Sequence, residues 1–225
     1  MQIELKIAMN QHLFIKDPEG SELGRKILFH AVEMIQLNGF EDFTFKKLAK
    51  NIGTTEAGIY RYFENKHRLL TYLTAWYWSW LEYQIHIQTK NIKDPKSKLK
   101  IVIMILMMKS TSEAQSLHIN EQKLHQIIIT EGAKAYLTHH VSEDNKIKLF
   151  KPYKDLCASI SNIILENNKN YTYPKSLAST IIENSHLQVF FNQNLPSLTD
   201  YSSKKNDKEI ISFLEHLVFS CLKIS

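Results

Sequence analysis

A short segment in the first third of the chain combines small residues, hydroxyls and cations at a spacing suited to nucleic acid. Within the run 55–58 (TEAG), the small residues Thr55, Ala57 and Gly58 leave the backbone bare, which permits close approach to the edges of bases. The side chains that follow it can all donate hydrogen bonds to phosphate oxygens. They are Tyr60, Arg61 and Tyr62. Lys66 adds an ammonium a few residues later, so the segment predicts a surface for duplex DNA.

Two short helices joined by a tight turn must position these residues. Thr44 is predicted to cap the first, Phe45 to Asn51, because its hydroxyl can accept a free amide of the next turn. Gly53 ends that helix, since glycine tolerates positive φ. Thr55 is predicted to cap the second, Glu56 to Tyr62. Such a pair is typical of a helix-turn-helix.

The rest of the chain also predicts helices. Glycine (6) and proline (5) are scarce in the 225 residues, which disfavours turn-rich sheet folds. Residues 1–19 predict an arm or an extra helical turn. Apolar periodicity predicts the other helices at Ser21 to Gly39, Lys66 to about Lys90, 96–109, 114–130, 144–167, 174–194 and 207–223.

The stretch FTFKKLAKNIGTTEAGIYRYFENKHRLL resembles the DNA-binding signature of the TetR family. The family pattern has a threonine opening the second helix, an alanine within it, a glycine at the turn and a small capping residue. An aliphatic-Tyr-x-x-Phe run, a lysine and paired leucines follow, and the combination is specific although no element is specific alone. The matching residues here are Thr44, Ala49, Gly53, Thr55, Ile59 to Phe63, Lys66 and Leu69-Leu70.

The resemblance implies an all-α protein of about nine helices. Residues 1–65, with an ordered core at about 21–65, would form a three-helix DNA-binding domain, which we call the head. Residues 66–225 would form a helical ligand-binding and dimerisation domain, which we call the body. The last two helices, about 174–194 and 207–223, would build a four-helix bundle with a partner subunit, which predicts a homodimer.

The resemblance also implies residue functions. Thr44 would cap its helix and touch phosphate, and 55–58 would face base edges. Glu56 departs from the basic or amide residue common there: a carboxylate repels phosphate but can accept from cytosine N4, so it either reads a base or weakens binding. Phe63 is predicted to be core. The full predicted DNA-binding set is Thr44, Thr55, Glu56, Ala57, Gly58, Tyr60, Arg61, Tyr62 and Lys66.

Charge agrees with this interpretation. The chain carries a formal net charge of +5, and eight cationic against five acidic side chains lie between Arg25 and Leu70. The predicted head is therefore richer in positive charge than the remainder, as a phosphate-facing surface requires.

A row of aromatic residues favours an effector site in the body. Trp76, Trp80, Tyr83 and Ile87 step by four, three and four residues and share one helix face. They predict, with the adaptable Met104 and Met107, a pocket for a small, largely apolar effector, although a filled core has the same composition. The family mechanism implied is a repressor on a palindromic operator, with half-sites about 34–36 Å apart, released when the effector tilts the helix after Lys66.

Catalysis is not predicted. Glu64–His67 and Glu183–His186 have di-iron spacing, but that site needs further inward glutamates, and Glu121–His125 is typical of a solvated helix pair. No HExxH, G-x-S-x-G or phosphate-binding glycine loop occurs, so no enzyme, metal or cofactor is expected. The alternative function is a helical interaction module whose head has lost DNA binding.

The sequence predicts a cytoplasmic protein. The first residues lack the pattern of a signal peptide, and the longest apolar run, Ile101 to Met108, is far shorter than a membrane span. Two cysteines without metal-like spacing predict reduced thiols.

Overall fold

A computed structural model describes residues 7–108, 118–202 and 207–223. Within these ranges the chain is helical and has no β-strand, which confirms the all-α class. Ten α-helices are described rather than about nine. They are α1 (Glu22–Asp42), α2 (Phe45–Ile52), α3 (Glu56–Tyr60), α4 (Lys66–Thr89), α5 (Pro95–Leu106), α6 (Glu121–Glu131), α7 (Val141–Lys146), α8 (Lys151–Asn167), α9 (Pro174–Asn194) and α10 (Asp207–Leu222).

The helix boundaries differ from the sequence prediction at backbone breaks. The segment 144–167 is not one helix, because Lys148 adopts a φ of 63° between α7 and α8. Helix α5 ends at Leu106, three residues before the end of the predicted segment 96–109. Met108, with a φ of 53°, follows this end. Gly39 takes a φ of 79° within α1, which continues to Asp42. The start of the predicted 114–130 helix lies outside the described residues.

The chain divides into two compact units. The first comprises Met1–Ser79 and Glu113–Pro152, and it contains the predicted helix-turn-helix. In this unit α1 packs against both α2 and α6, and one of its faces is fully buried. That face includes Ile27, Leu28 and Ala31.

The second unit comprises Trp80–Ser112 and Tyr153–Ser225. Here α10 packs against α5 and α9. Its buried stripe recurs every four residues, at Ile210, Leu214, Val218 and Leu222. On the same helix Leu217 is half-buried and Cys221 is exposed.

The functional division at residue 65, between a DNA-binding domain and a body, stays a prediction. None of the described helices combines the length and the apolar character that a membrane span needs.

Candidate nucleic-acid interface

The two short helices begin at the predicted threonine caps. The Oγ1 of Thr44 accepts a hydrogen bond from the backbone N–H of Lys47 at 3.2 Å, and the Oγ1 of Thr55 accepts from Gly58 at 3.1 Å. Gly53 ends α2 in the left-handed conformation, with φ 70° and ψ 38°. These local bonds set the turn between α2 and α3, because each satisfies a backbone group that the helix leaves free.

The leading end of α3 faces solvent. Thr55, Glu56 and Ala57 are exposed, and Gly58 behind them is half-buried. A Cβ on Gly58 would lie 2.9 Å from the Oγ1 of Thr54, so any side chain at this position would have to displace Thr54. The glycine therefore keeps this end of the helix narrow. A narrow and exposed helix start is the shape that a major groove admits.

Tyr60 and Arg61 leave the helix on an accessible side. The ring of Tyr60 packs edge-on against Phe45, with 5.1 Å between the centroids, while 46% of the residue remains exposed. This contact ties α3 to α2 and holds the phenol in place. Arg61 is exposed. Both side chains are therefore available to phosphate oxygens.

Tyr62 is placed differently from its neighbours. Only 3% of it is exposed, and its hydroxyl lies 2.8 Å from the Oγ of Ser21, with which it shares a hydrogen bond. Its carbonyl accepts the backbone N–H of Ile15 at 2.8 Å. The hydroxyl and the carbonyl of Tyr62 are thus both bonded within the protein, and its contact with phosphate stays a prediction. Phe63 is fully buried, as predicted.

Lys66, at the start of α4, also has an internal function. Its Nζ donates to the carbonyls of Phe40 and Glu41, each at 3.0 Å, and lies 4.7 Å from the centre of the Phe40 ring. These carbonyls end α1, where a cation is favourable. Lys66 is only half-buried, so the same ammonium fixes the end of α1 and remains partly accessible.

The lysines of α2 contribute positive charge, but the sequence pattern assigned them no contact. Lys46 and Lys50 are four residues apart on α2, and both are exposed. In a helix-turn-helix the first helix crosses the DNA backbone, which makes exposed cations on it candidate phosphate contacts. The i, i+4 spacing on a helix of known start was the signal that could have found them.

The predicted effector residues fall into three groups by burial. Trp76, Trp80 and Met107 are buried, whereas Tyr83 and Met104 are half-buried. Ile87 is 48% exposed, although its spacing places it on the same helix face as the aromatic residues, and its contact with an effector stays a prediction. No cluster of three metal-ligating side chains occurs in the described part of the chain.

The site and the helical frame define a DNA-binding protein of the helix-turn-helix class. Residues 27–73 match the model of the bacterial regulatory proteins of the tetR family. The match confirms that residues 27–73 resemble the DNA-binding segment of the TetR family, and it supports a DNA-binding transcriptional regulator.

Solved structures share the fold over most of the chain. The complex of AibR with isovaleryl coenzyme A and operator DNA is 16% identical, with a TM-score of 0.57, and the alignment covers 87% of this chain and 98% of that one. The fatty acid degradation regulator FadR from Bacillus halodurans is 20% identical, with a TM-score of 0.58 and coverage of 86% and 96%. The TetR-family regulator PfmR from Thermus thermophilus is 14% identical, with a TM-score of 0.56 and coverage of 86% and 97%. No curated protein matches by sequence.

Proposed function

We propose that this regulator is a repressor that binds a palindromic operator as a homodimer and is released by a small, largely apolar effector. The observation that carries the DNA-binding step is the exposed leading end of α3. Thr55, Glu56 and Ala57 lie there on the surface, and of these Thr55 and Ala57 have small side chains. The protein would act by binding alone, without catalysis.

Cations and a phenol surround this leading end within the same short segment. We assign the direct phosphate contacts to Thr44, Tyr60, Arg61 and Lys66, and add Lys46 and Lys50 of α2. Tyr62 becomes a positioning residue, because its hydroxyl bonds Ser21. Base edges would be read by the 55–58 run, with Glu56 able to accept from a cytosine amine.

The exposed apolar side chains of α9 and α10 support dimerisation through these helices. Leu187 is 43% exposed and Phe213 is 38% exposed, whereas Ile210, Leu214, Val218 and Leu222 of α10 are buried. Phe191, four residues after Leu187, and Leu217, four residues after Phe213, are half-buried. Apolar groups left on two packed helices favour a matching face on a second subunit.

The buried aromatic residues support an apolar effector with one hydrogen-bond acceptor. Trp76 is fully buried, and no described residue accepts from its Nε1. A buried N–H without an acceptor is unfavourable, so an effector carbonyl or carboxylate placed there would be stabilised. AibR was solved with isovaleryl coenzyme A and operator DNA, and FadR regulates fatty acid degradation. An acyl group is therefore the first effector class to test.

The DNA-binding proposal is tested by selecting bound sites from random duplex DNA and measuring affinity against salt concentration. We expect the recovered sites to be palindromic. We also expect the logarithm of the binding constant to fall linearly with the logarithm of the salt concentration. Tyr60→Ala should weaken binding to all sites alike, whereas Glu56→Gln should change the order of preference among sites. Binding that does not depend on salt would instead support the interaction module.

The effector proposal is tested on the selected operator. Isovaleryl coenzyme A and a saturated fatty acid are titrated into the complex, and release and tryptophan fluorescence are followed together. We expect at least one acyl compound to release the DNA. Trp76→Phe should weaken that response if the indole N–H binds the effector. Binding without release would contradict the regulatory mechanism.

A further inference from the structure

Residues 10–20, which we call the N-terminal arm, pack against the end of α3. The N–H of Ile15 donates to the carbonyl of Tyr62 at 2.8 Å, just beyond α3. Leu13 is fully buried, and the ring of Phe14 contacts Tyr72 edge-on at 6.1 Å. The arm is therefore part of the folded head, although its sequence carries little pattern.

The far end of the arm is anchored to α1. Arg25 donates from Nη1 to the carbonyl of Glu19 at 2.9 Å. Gly24 lies directly against Pro18, since a Cβ on Gly24 would come within 2.1 Å of the Pro18 carbonyl oxygen. Anchors on both sides leave the residues between them in a defined position beside Tyr62.

Lys16 occupies that position. It is exposed, and its Nζ lies 5.3 Å from the centre of the Tyr62 ring, which it covers. The two acidic neighbours of Lys16 accept hydrogen bonds from the arm itself and from α4. The Asp17 carboxylate accepts the N–H of Glu19, and the Glu19 carboxylate accepts from the hydroxyl of Tyr72 at 3.5 Å. These bonds orient the two carboxylates without removing their charge, and the group that lies over the Tyr62 ring is the Lys16 ammonium.

We propose that Lys16 is a phosphate-binding residue of the DNA interface, displayed by the arm at the place where sequence alone put the Tyr62 hydroxyl. The inference rests on the proposed DNA-binding function. Tyr62 follows the exposed Arg61, so Lys16 extends the run of phosphate-binding groups past the end of α3. Tyr62 supports it by presenting its ring and by bonding the arm backbone. A lysine contact with phosphate contributes charge without base preference.

The test compares the salt dependence of operator binding for Lys16→Gln and for the wild type. Each lost phosphate contact lowers the slope of log affinity against log salt by about 0.9, so a dimer that loses two contacts should lose about 1.8. Lys16→Arg should restore the slope. Lys169→Gln, an exposed lysine in the loop after α8, removes the same charge and should leave the slope unchanged.

Tyr62→Phe separates position from charge. It removes the hydrogen bond with Ser21 but keeps the ring under Lys16, so the salt slope should stay at the wild-type value even if the melting temperature falls. A Lys16→Gln slope equal to that of the wild type would overturn the inference while leaving the proposed function intact. Absence of salt-dependent binding by the wild type would overturn the proposed function itself.

Discussion

The backbone N–H of Phe40 donates to the Oε1 of Glu131 at 3.1 Å, joining α1 of the head to the end of α6. Gly39 breaks the helical path of α1 immediately before this bond and so frees the N–H from its partner within the helix. Lys134 completes the joint by pairing with Glu131 at 2.9 Å and with Glu41 at 2.6 Å. The hydrogen bond from Lys134 lowers the pKa of the Glu41 carboxyl.

Replacing Glu131 should destabilise the head. Glu131→Ala leaves the Phe40 N–H without an acceptor, which costs about 1–3 kcal/mol of unfolding free energy. Glu131→Gln keeps an acceptor oxygen and should cost less. Urea unfolding measures both.

Glu41→Gln is the matched control for the Glu131 variants. It removes the other carboxylate bound by Lys134, but the side chain of Glu41 is 78% exposed, so its ion pair should contribute little. Equal losses for Glu41→Gln and Glu131→Ala would show that the Phe40 bond contributes nothing beyond the ion pairs.

Removing the cap of α3 should cost stability through a local mechanism. Thr55→Ala deletes the oxygen that accepts from Gly58, and we expect a loss of about 1 kcal/mol in thermal or urea unfolding. Thr55→Ser retains that oxygen and should unfold like the wild type. If the serine variant is as unstable as the alanine variant, the threonine methyl rather than the cap is what matters.

Adding a methyl group at Gly24 should displace the N-terminal arm. The new Cβ would meet the Pro18 carbonyl oxygen at 2.1 Å, a distance that forces the backbone apart. We expect faster tryptic cleavage at Lys16 in Gly24→Ala, measured by limited proteolysis. Gly20→Ala is the control, because its nearest contact is an ordinary 3.5 Å. Identical cleavage rates for the two variants would contradict the anchoring described for Pro18.

Acid should weaken the fold through His186. Burial lowers the pKa of this imidazole to about 4. The unfolded chain takes up a proton below about pH 6.5, whereas the folded site stays neutral until about pH 4. Stability should therefore fall as the pH drops through that window, at about 1.4 kcal/mol per unit of pKa difference.

The contribution of His186 is isolated by comparing pH profiles of unfolding free energy. His186→Leu should have a flatter profile than the wild type between pH 6.5 and 4, whatever its stability at pH 7. The control, His216→Leu, changes an exposed histidine and should retain the wild-type profile. A wild-type slope in His186→Leu would assign the acid sensitivity to other groups.

The sequence by itself determined the helix-turn-helix, since its signals act over three or four residues. Thr44 and Thr55 cap helices through amides three positions ahead, and Gly53 supplies the left-handed turn. Such bonds depend on residue type and local spacing, so they can be predicted from the sequence without knowledge of the tertiary structure. The burial of Phe63 followed from the same local pattern.

Only the tertiary structure decided which polar groups remain free for a partner. Tyr62 looks like its neighbour Tyr60 in sequence, yet Ser21 and the arm, some forty residues away, take up its hydroxyl and carbonyl. Ile87 keeps the helical spacing of the aromatic row but is left at the surface. Exposure is set by whatever packs against a residue from distant parts of the chain, and periodicity along one helix carries no information about those neighbours.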